Sequence, residues 1–153
     1  MEKISKIVIV IAMEAEADPL ISHLGLKGVT LPPAALCMFH SGIYKGVQVT
    51  VATNGKSTAH KVDNVGTCAA TITTLLSVQL FKPDVIINAG TAGGFKSKGG
   101  NIGDVYLCSN SKFHDRRIPI PGFTEYGIGN YSSQNIDVLA QVKALLVKLC
   151  HCS

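Results

Sequence analysis

The sequence contains no tryptophan, and aromatic residues make up only 6% of its 153 positions. Charge is sparse too, at 16%, with 14 basic against 10 acidic side chains for a formal +4. That small surplus is scattered rather than striped, which argues against a partner that is nucleic acid or a membrane surface. Long hydrophobic runs are also missing. The cleanest one, Ile7 to Met13, is far too short to span a bilayer. Glu14, Glu16 and Asp18 follow it where a signal peptide would need small residues for cleavage, so a cytoplasmic address is expected. The five cysteines, Cys37, Cys68, Cys108, Cys150 and Cys152, are odd in number and widely spaced, which argues against a disulfide framework. Cys150-His151-Cys152 offers too few ligands to close a tetrahedron, with no second cluster nearby. The thiols therefore read as reduced, and no metal or cofactor is expected.

What is present is apolar sequence, 46% of the chain, enough for one domain with a sizeable core. Ile7 to Ala12 is a continuous β-branched run without polar alternation, as in a parallel strand covered on both faces. Glu14 to Leu24 reads as a helix with acidic residues in its first turn, and Pro19 predicts a late start or a kink. Gly25 to Pro33 reads as a loop. Leu36 to His40 and Gly46 to Ala52 predict a hairpin joined near Gly42–Lys45. Val62, Val65, Ala69, Ile72 and Leu76 fall at helical spacing, and Lys82-Pro83 ends that helix. Val85 to Ile87 predicts a second buried strand running into the Gly-rich loop Asn88 to Gly94. Asp104 to Ser109 reads as a strand, His114 to Gly129 as an extended loop, and Leu139, Val142, Leu146 and Leu149 as one face of a helix. This order predicts an α/β fold with a mixed sheet. Ligands in such sheets sit at the carboxyl ends of strands, here near Met13–Glu16, Thr53–Lys56 and Gly90–Gly94.

Two nucleotide motifs fail on inspection. Asn54-Gly55-Lys56-Ser57 resembles the end of a P-loop, but position 50, where the first glycine belongs, is Thr in the middle of a strand. The glycines of Gly90-Thr91-Ala92-Gly93-Gly94 do not match a dinucleotide fingerprint, and a polar, turn-rich stretch follows instead of a helix. The loop still has a physical use, because glycines let backbone N–H groups approach a ligand and Thr91 adds a hydroxyl. A tight structural turn would explain it equally well. Glu14 and Glu16 are explained as partners of the helix dipole, or one of them reaches the ligand cleft and polarises a water. His114-Asp115 reads as a solvated loop pair.

Taken in order, Ala12-Met13-Glu14-Ala15-Glu16, Lys82-Pro83-Asp84-Val85-Ile86-Ile87-Asn88-Ala89-Gly90-Thr91-Ala92-Gly93-Gly94, Gly103-Asp104-Val105 and Phe113-His114-Asp115 resemble one family. They are similar to the 5′-methylthioadenosine/S-adenosylhomocysteine nucleosidases of the nucleoside phosphorylase/hydrolase superfamily. Arg116-Arg117-Ile118-Pro119-Ile120-Pro121 resembles the plant-type branch. The resemblance implies a three-layer αβα fold with a mixed central sheet. It also implies hydrolysis of the N-glycosidic bond of 5′-methylthioadenosine to adenine and methylthioribose, a step of methionine salvage, without a cofactor. By the same resemblance Glu16 activates the attacking water, Thr91 contacts the nucleoside with Ala92 and Gly93 beside it, and Met13 lines the cleft. The family is homodimeric, and Ile118 to Phe123 would help close the neighbour's alkylthio pocket.

The family also holds the ribose with a later Met-Glu pair and protonates adenine with a later Asp. No Asp follows Asp137, and the Met-Glu pairs present are Met1-Glu2 and Met13-Glu14. Residues 1–153 are therefore expected to form a single partial nucleosidase domain, incomplete at the C-terminal end, with little turnover and poor autonomous stability. The alternative is a non-catalytic nucleoside-binding or regulatory fragment that pairs with a full-length protomer. A nucleoside phosphorylase would need a phosphate site, and Lys56 and Arg116-Arg117 are the basic candidates.

Overall fold

Parallel pairing on both sides of one apolar strand organises the chain. The computed structural model describes residues 4–30, 36–115 and 117–132. Strand β1 (Lys6–Ile11) lies between β4 (Val47–Thr53) and β5 (Val85–Ala89), parallel to both. Beyond β4 come β3 (Met38–Tyr44) and the short β2 (Lys27–Gly28), both antiparallel to their neighbours, giving the mixed order β2-β3-β4-β1-β5. The hairpin turn falls at Lys45-Gly46, both at positive φ, slightly later than the sequence predicted.

A helix covers each face. Ile9 and Ile11 of β1 and Val49 and Val51 of β4 point to α1 (Glu14–Leu24) and meet Ala17, Leu20, Ile21 and Leu24. Val8 and Val10 point the other way, with Phe39 and Ala52, and meet Leu76 and Phe81 of α2 (Thr67–Phe81). The continuous apolar run of β1 is thus explained by two clusters, one above and one below the sheet. Each fully buried side chain of this kind contributes about 1.5–3 kcal/mol. The expected αβα layering stands.

Helix α1 starts at Glu14 despite Pro19, correcting the expected late start. Proline removes only the bond to Ala15, its ring is exposed, and the apolar face on either side of it still packs. Gly25 at φ 64 closes the helix, with Gly25 N–H bonded to Ser22 O and Leu26 N–H to Ile21 O.

Helix α2 is a larger correction. It begins at Thr67, so Val62 and Val65 lie outside it and are 60% and 64% exposed. Its buried residues are Thr73 and Ser77, whereas Ile72 of the predicted stripe is 45% exposed. The reason is polar: Asn54 draws Thr73 inward through a hydrogen bond, so small residues face the sheet. Strand β5 also differs from expectation. It is the edge of this sheet among the described residues, and Ile86 is 39% exposed.

The chain forms two compact units, Met1–Gly93 and Gly94–Ser153. The second contains a 3₁₀ turn (Lys96–Lys98), a two-stranded ribbon of β6 (Asn110–Ser111) with β7 (Tyr131–Ser132), and the short helix α3 (Thr124–Ile128). The predicted strand Asp104–Ser109 is not formed, because no neighbouring strand is available to pair with it among the described residues. The expected extended loop over His114–Gly129 contains α3. The predicted helix through Leu139 and Leu149, Arg116 and Cys150-His151-Cys152 lie outside the described residues.

Candidate active site

The strand register fixes where chemistry can gather. Ile11 is level with Thr53 of β4 and with Ala89 of β5, so three parallel strands end side by side. The segments that follow them, Met13–Glu16, Asn54–Lys56 and Gly90–Gly93, share one rim of the sheet. α1 leaves β1 on one face, and α2 carries the chain from β4 over to β5 on the other. That reversal of strand order opens the crevice in which open α/β sheets bind ligands.

Two polar links tie the rim together. Glu16 Oε1 accepts from the Thr91 backbone N–H at 2.8 Å and from the Thr91 hydroxyl at 2.7 Å, joining positions 75 residues apart. The carboxylate lies 3.6 Å from where a Cβ of residue 90 would stand, an ordinary packing distance against the Gly-rich loop. The Thr91 hydroxyl first, then the Thr91 N–H, hold the Glu16 carboxyl below the usual glutamate range. The Met13 N–H assists and slight burial opposes. Glu16 is therefore a partly buried carboxylate that stays ionised at neutral pH.

The second link is an ion pair between Lys56 Nζ and Glu14 Oε2. Glu14 raises the Lys56 ammonium above its ordinary value, with weaker help from Asp63 and Asp18. Lys56 sits on a stiff loop. Asn54 is buried and donates to Asn64 O at 3.0 Å, while the Asn64 amide donates back to Asn54 O at 3.2 Å. The Thr73 hydroxyl donates to Asn54 Oδ1 at 2.7 Å. Gly55 stands at φ 68, and a Cβ there would lie 1.9 Å from Leu36 O.

Among the sequence-predicted residues, the structure brings Glu16 and Thr91 together. Met13 is the residue before α1, 40% exposed, and its carbonyl accepts from Glu16 N–H and Ala17 N–H. Ala92 and Gly93 follow on the exposed loop, with open space in front of Gly93. Glu14 does more than face the helix dipole, since its carboxylate is engaged by Lys56. The Asn54-Gly55-Lys56-Ser57 stretch makes a docked loop. His114 Nδ1 and Asp115 Oδ1 are 3.1 Å apart on side chains 94% and 90% exposed, the solvated pair expected. The described residues contain no group of three or more metal-ligating side chains. Sequence reasoning missed the Lys56–Glu14 pair and the Asn54–Asn64–Thr73 network. The available signal was Asn54 itself, an amide directly after a buried strand.

The family model described as Phosphorylase superfamily matches residues 6–150. The chain is 48% identical over 132 residues to a 5′-methylthioadenosine nucleosidase of Arabidopsis thaliana, covering 84% of this chain and 49% of that protein. It is 44% identical over 129 residues to a 5′-methylthioadenosine/S-adenosylhomocysteine nucleosidase of the same plant, covering 82% and 51%. The solved apo structure of Arabidopsis thaliana 5′-methylthioadenosine nucleosidase superposes with a TM-score of 0.84 at 44% identity, covering 93% of this chain and 60% of that one. The chain spans about half the length of the curated relatives it matches.

Proposed function

The chain belongs to the phosphorylase superfamily, and from that membership we propose that it carries the water-activating side of a nucleosidase site that hydrolyses 5′-methylthioadenosine. The products are adenine and methylthioribose. In this reading residues 1–153 form one partial nucleosidase domain. Glu16 holds a water and takes its proton as the oxygen attacks the anomeric carbon and the bond to adenine breaks. Both Thr91 donors converge on Oε1, and in this reading Oε2 is the oxygen that takes the proton of the water. The positive charge that develops on the ribose is favoured by a nearby carboxylate. Met13, Ala92 and Gly93 line the nucleoside's path.

One observation carries the choice of water over phosphate. The donors that would seize a phosphate are already engaged by the chain's own carboxylates. Thr91 gives its N–H and its hydroxyl to Glu16, and Lys56 is paired with Glu14. An incoming phosphate would meet two negative charges on this rim, whereas a neutral water meets an acceptor.

The homodimer and the cytoplasmic address belong to the same proposal. The exposed apolar side chains of Ile118, Ile120 and Phe123 support a role in closing a neighbour's pocket. Cys37 as a buried thiol suits a reducing compartment.

The test is ligand titration of the isotope-labelled chain. Methylthioadenosine should shift the amides of Met13, Gly90 and Thr91, leaving Lys45 and Gly46 at the far end of β4 unmoved, and inorganic phosphate should shift none of them. Saturable phosphate shifts at Thr91 would favour a phosphorylase, and nucleoside shifts elsewhere would remove the site.

A further inference from the structure

Helix α1 carries the key carboxylate, and the tether that its own first turn supplies is the Met13 N–H bonded to the Glu16 carboxylate. Met13 precedes the first turn and supplies no side-chain cap. An uncapped first turn leaves backbone donors unsatisfied and frays. Glu16 lies in that turn, so fraying would loosen its two bonds to Thr91. A further tether comes from outside the helix. Lys56 reaches Glu14 across 42 positions of sequence.

We propose that Lys56 is a positioning residue: through Glu14 it holds the first turn of α1 in the place that keeps the Glu16 carboxylate on Thr91. Exposed ion pairs usually add little, because two mobile side chains must be ordered and solvent screens them. Here one partner is anchored beforehand. The Lys56 backbone bridges to Asp63, Asn64 N–H bonds Gly55 O at 2.8 Å, and Ser57 N–H bonds Val62 O at 2.9 Å. The Asn54–Asn64–Thr73 network then fastens this loop to α2. The chain of support therefore runs from α2, through the loop and Lys56, to Glu14 and the turn that bears Glu16. The charged groups acting on Lys56 are Glu14, Asp63 and Asp18, and those holding Glu16 are the donors of Thr91 and Met13.

The functional meaning rests on the reading of Glu16 given above, but the test does not need turnover. In the full 153-residue chain, the Thr91 amide shift followed against pH reports ionisation of the carboxylate it bonds. Lys56→Met should raise the midpoint of that titration and speed Thr91 amide exchange. Lys56→Arg should restore both, Glu14→Gln should reproduce the Lys56→Met change, and combining the two should add nothing. Ser41→Ala, which loses a bond to Thr50 in the hairpin, should leave the midpoint in place. An unchanged midpoint in both Lys56→Met and Glu14→Gln overturns the proposal. So does an equal displacement in Ser41→Ala, which would mean general loosening. Failure of the nucleosidase reading shows separately, as absence of methylthioadenosine binding with the titration behaviour intact.

Discussion

Met1–Gly93 and Gly94–Ser153 differ chiefly in burial. In the first unit, β1 has a partner on each side and a helix on each face, and Val8, Phe39 and Val51 are at most 1% exposed. In the second, Gly127 and Gly129 are the only buried residues among those described. Phe95 is 71% exposed there, and Val105 and Tyr106 are 67% exposed. The apolar sequence of Val105-Tyr106-Leu107 is as strand-like as that of β5, yet it forms no ladder. Hydropathy alone does not bury a strand; a hydrogen-bonded neighbour and a covering layer do. The paired carboxylates and their donors sit in the unit that has both.

The contrast is broken most sharply by truncating an aromatic side chain in each unit. Phe39→Ala removes a ring packed 5.0 Å from that of Phe81 and should cost about 3–5 kcal/mol. Tyr126→Ala, at 67% exposure, should stay within about 0.5 kcal/mol. Chemical denaturation of both variants checks the pair, and equal losses would contradict the burial contrast.

A matched pair of glycines sharpens it further. Gly55→Ala places a methyl group against the Leu36 carbonyl at positive φ, and should cost about 1–3 kcal/mol while loosening the Lys56 loop. Gly103→Ala, also at positive φ but in open space, should cost less, about 1 kcal/mol. Thermal melts rank the two, and the reverse order would place the constraint in the wrong unit.

The smallest effect is electrostatic. Asp84 Oδ2 accepts from Ser5 N–H, the Ser5 hydroxyl and Lys6 N–H, which clip the start of β1 beside β5 and hold the carboxyl below the usual aspartate range. A carboxyl lowered by folding stabilises above its unfolded pKa, and that contribution is lost as pH falls through the folded value. Asp84→Asn should therefore be less stable than the parent at neutral pH, with the gap closing in acid. A gap that widens in acid would reverse the assignment. Glu16→Gln should follow the same direction.

Much of this was legible in the sequence, for local reasons. The unbroken β-branched run marked β1 as a doubly covered strand, and Lys82-Pro83 marked the end of α2. The strand-end rule puts Glu16 and Thr91 on one rim from sequence alone. What escaped depends on partners far along the chain. The start of α2 was hidden because Asn54, Asn64 and Thr73 fasten residues that carry a helical apolar spacing. Lys56 and Glu14 meet only because β1 and β4 end level, which no local window reveals. The fate of Asp104–Ser109 turned on a neighbour rather than on its own residues.

The most direct measurement replaces the matching stretch of the Arabidopsis thaliana 5′-methylthioadenosine nucleosidase with residues 6–132 of this chain and follows adenine release from methylthioadenosine. The account predicts release by the chimera, and a fall of at least about 10²-fold on Glu16→Gln. Release that survives Glu16→Gln unchanged, or a folded chimera that binds the nucleoside and leaves it intact, would contradict it.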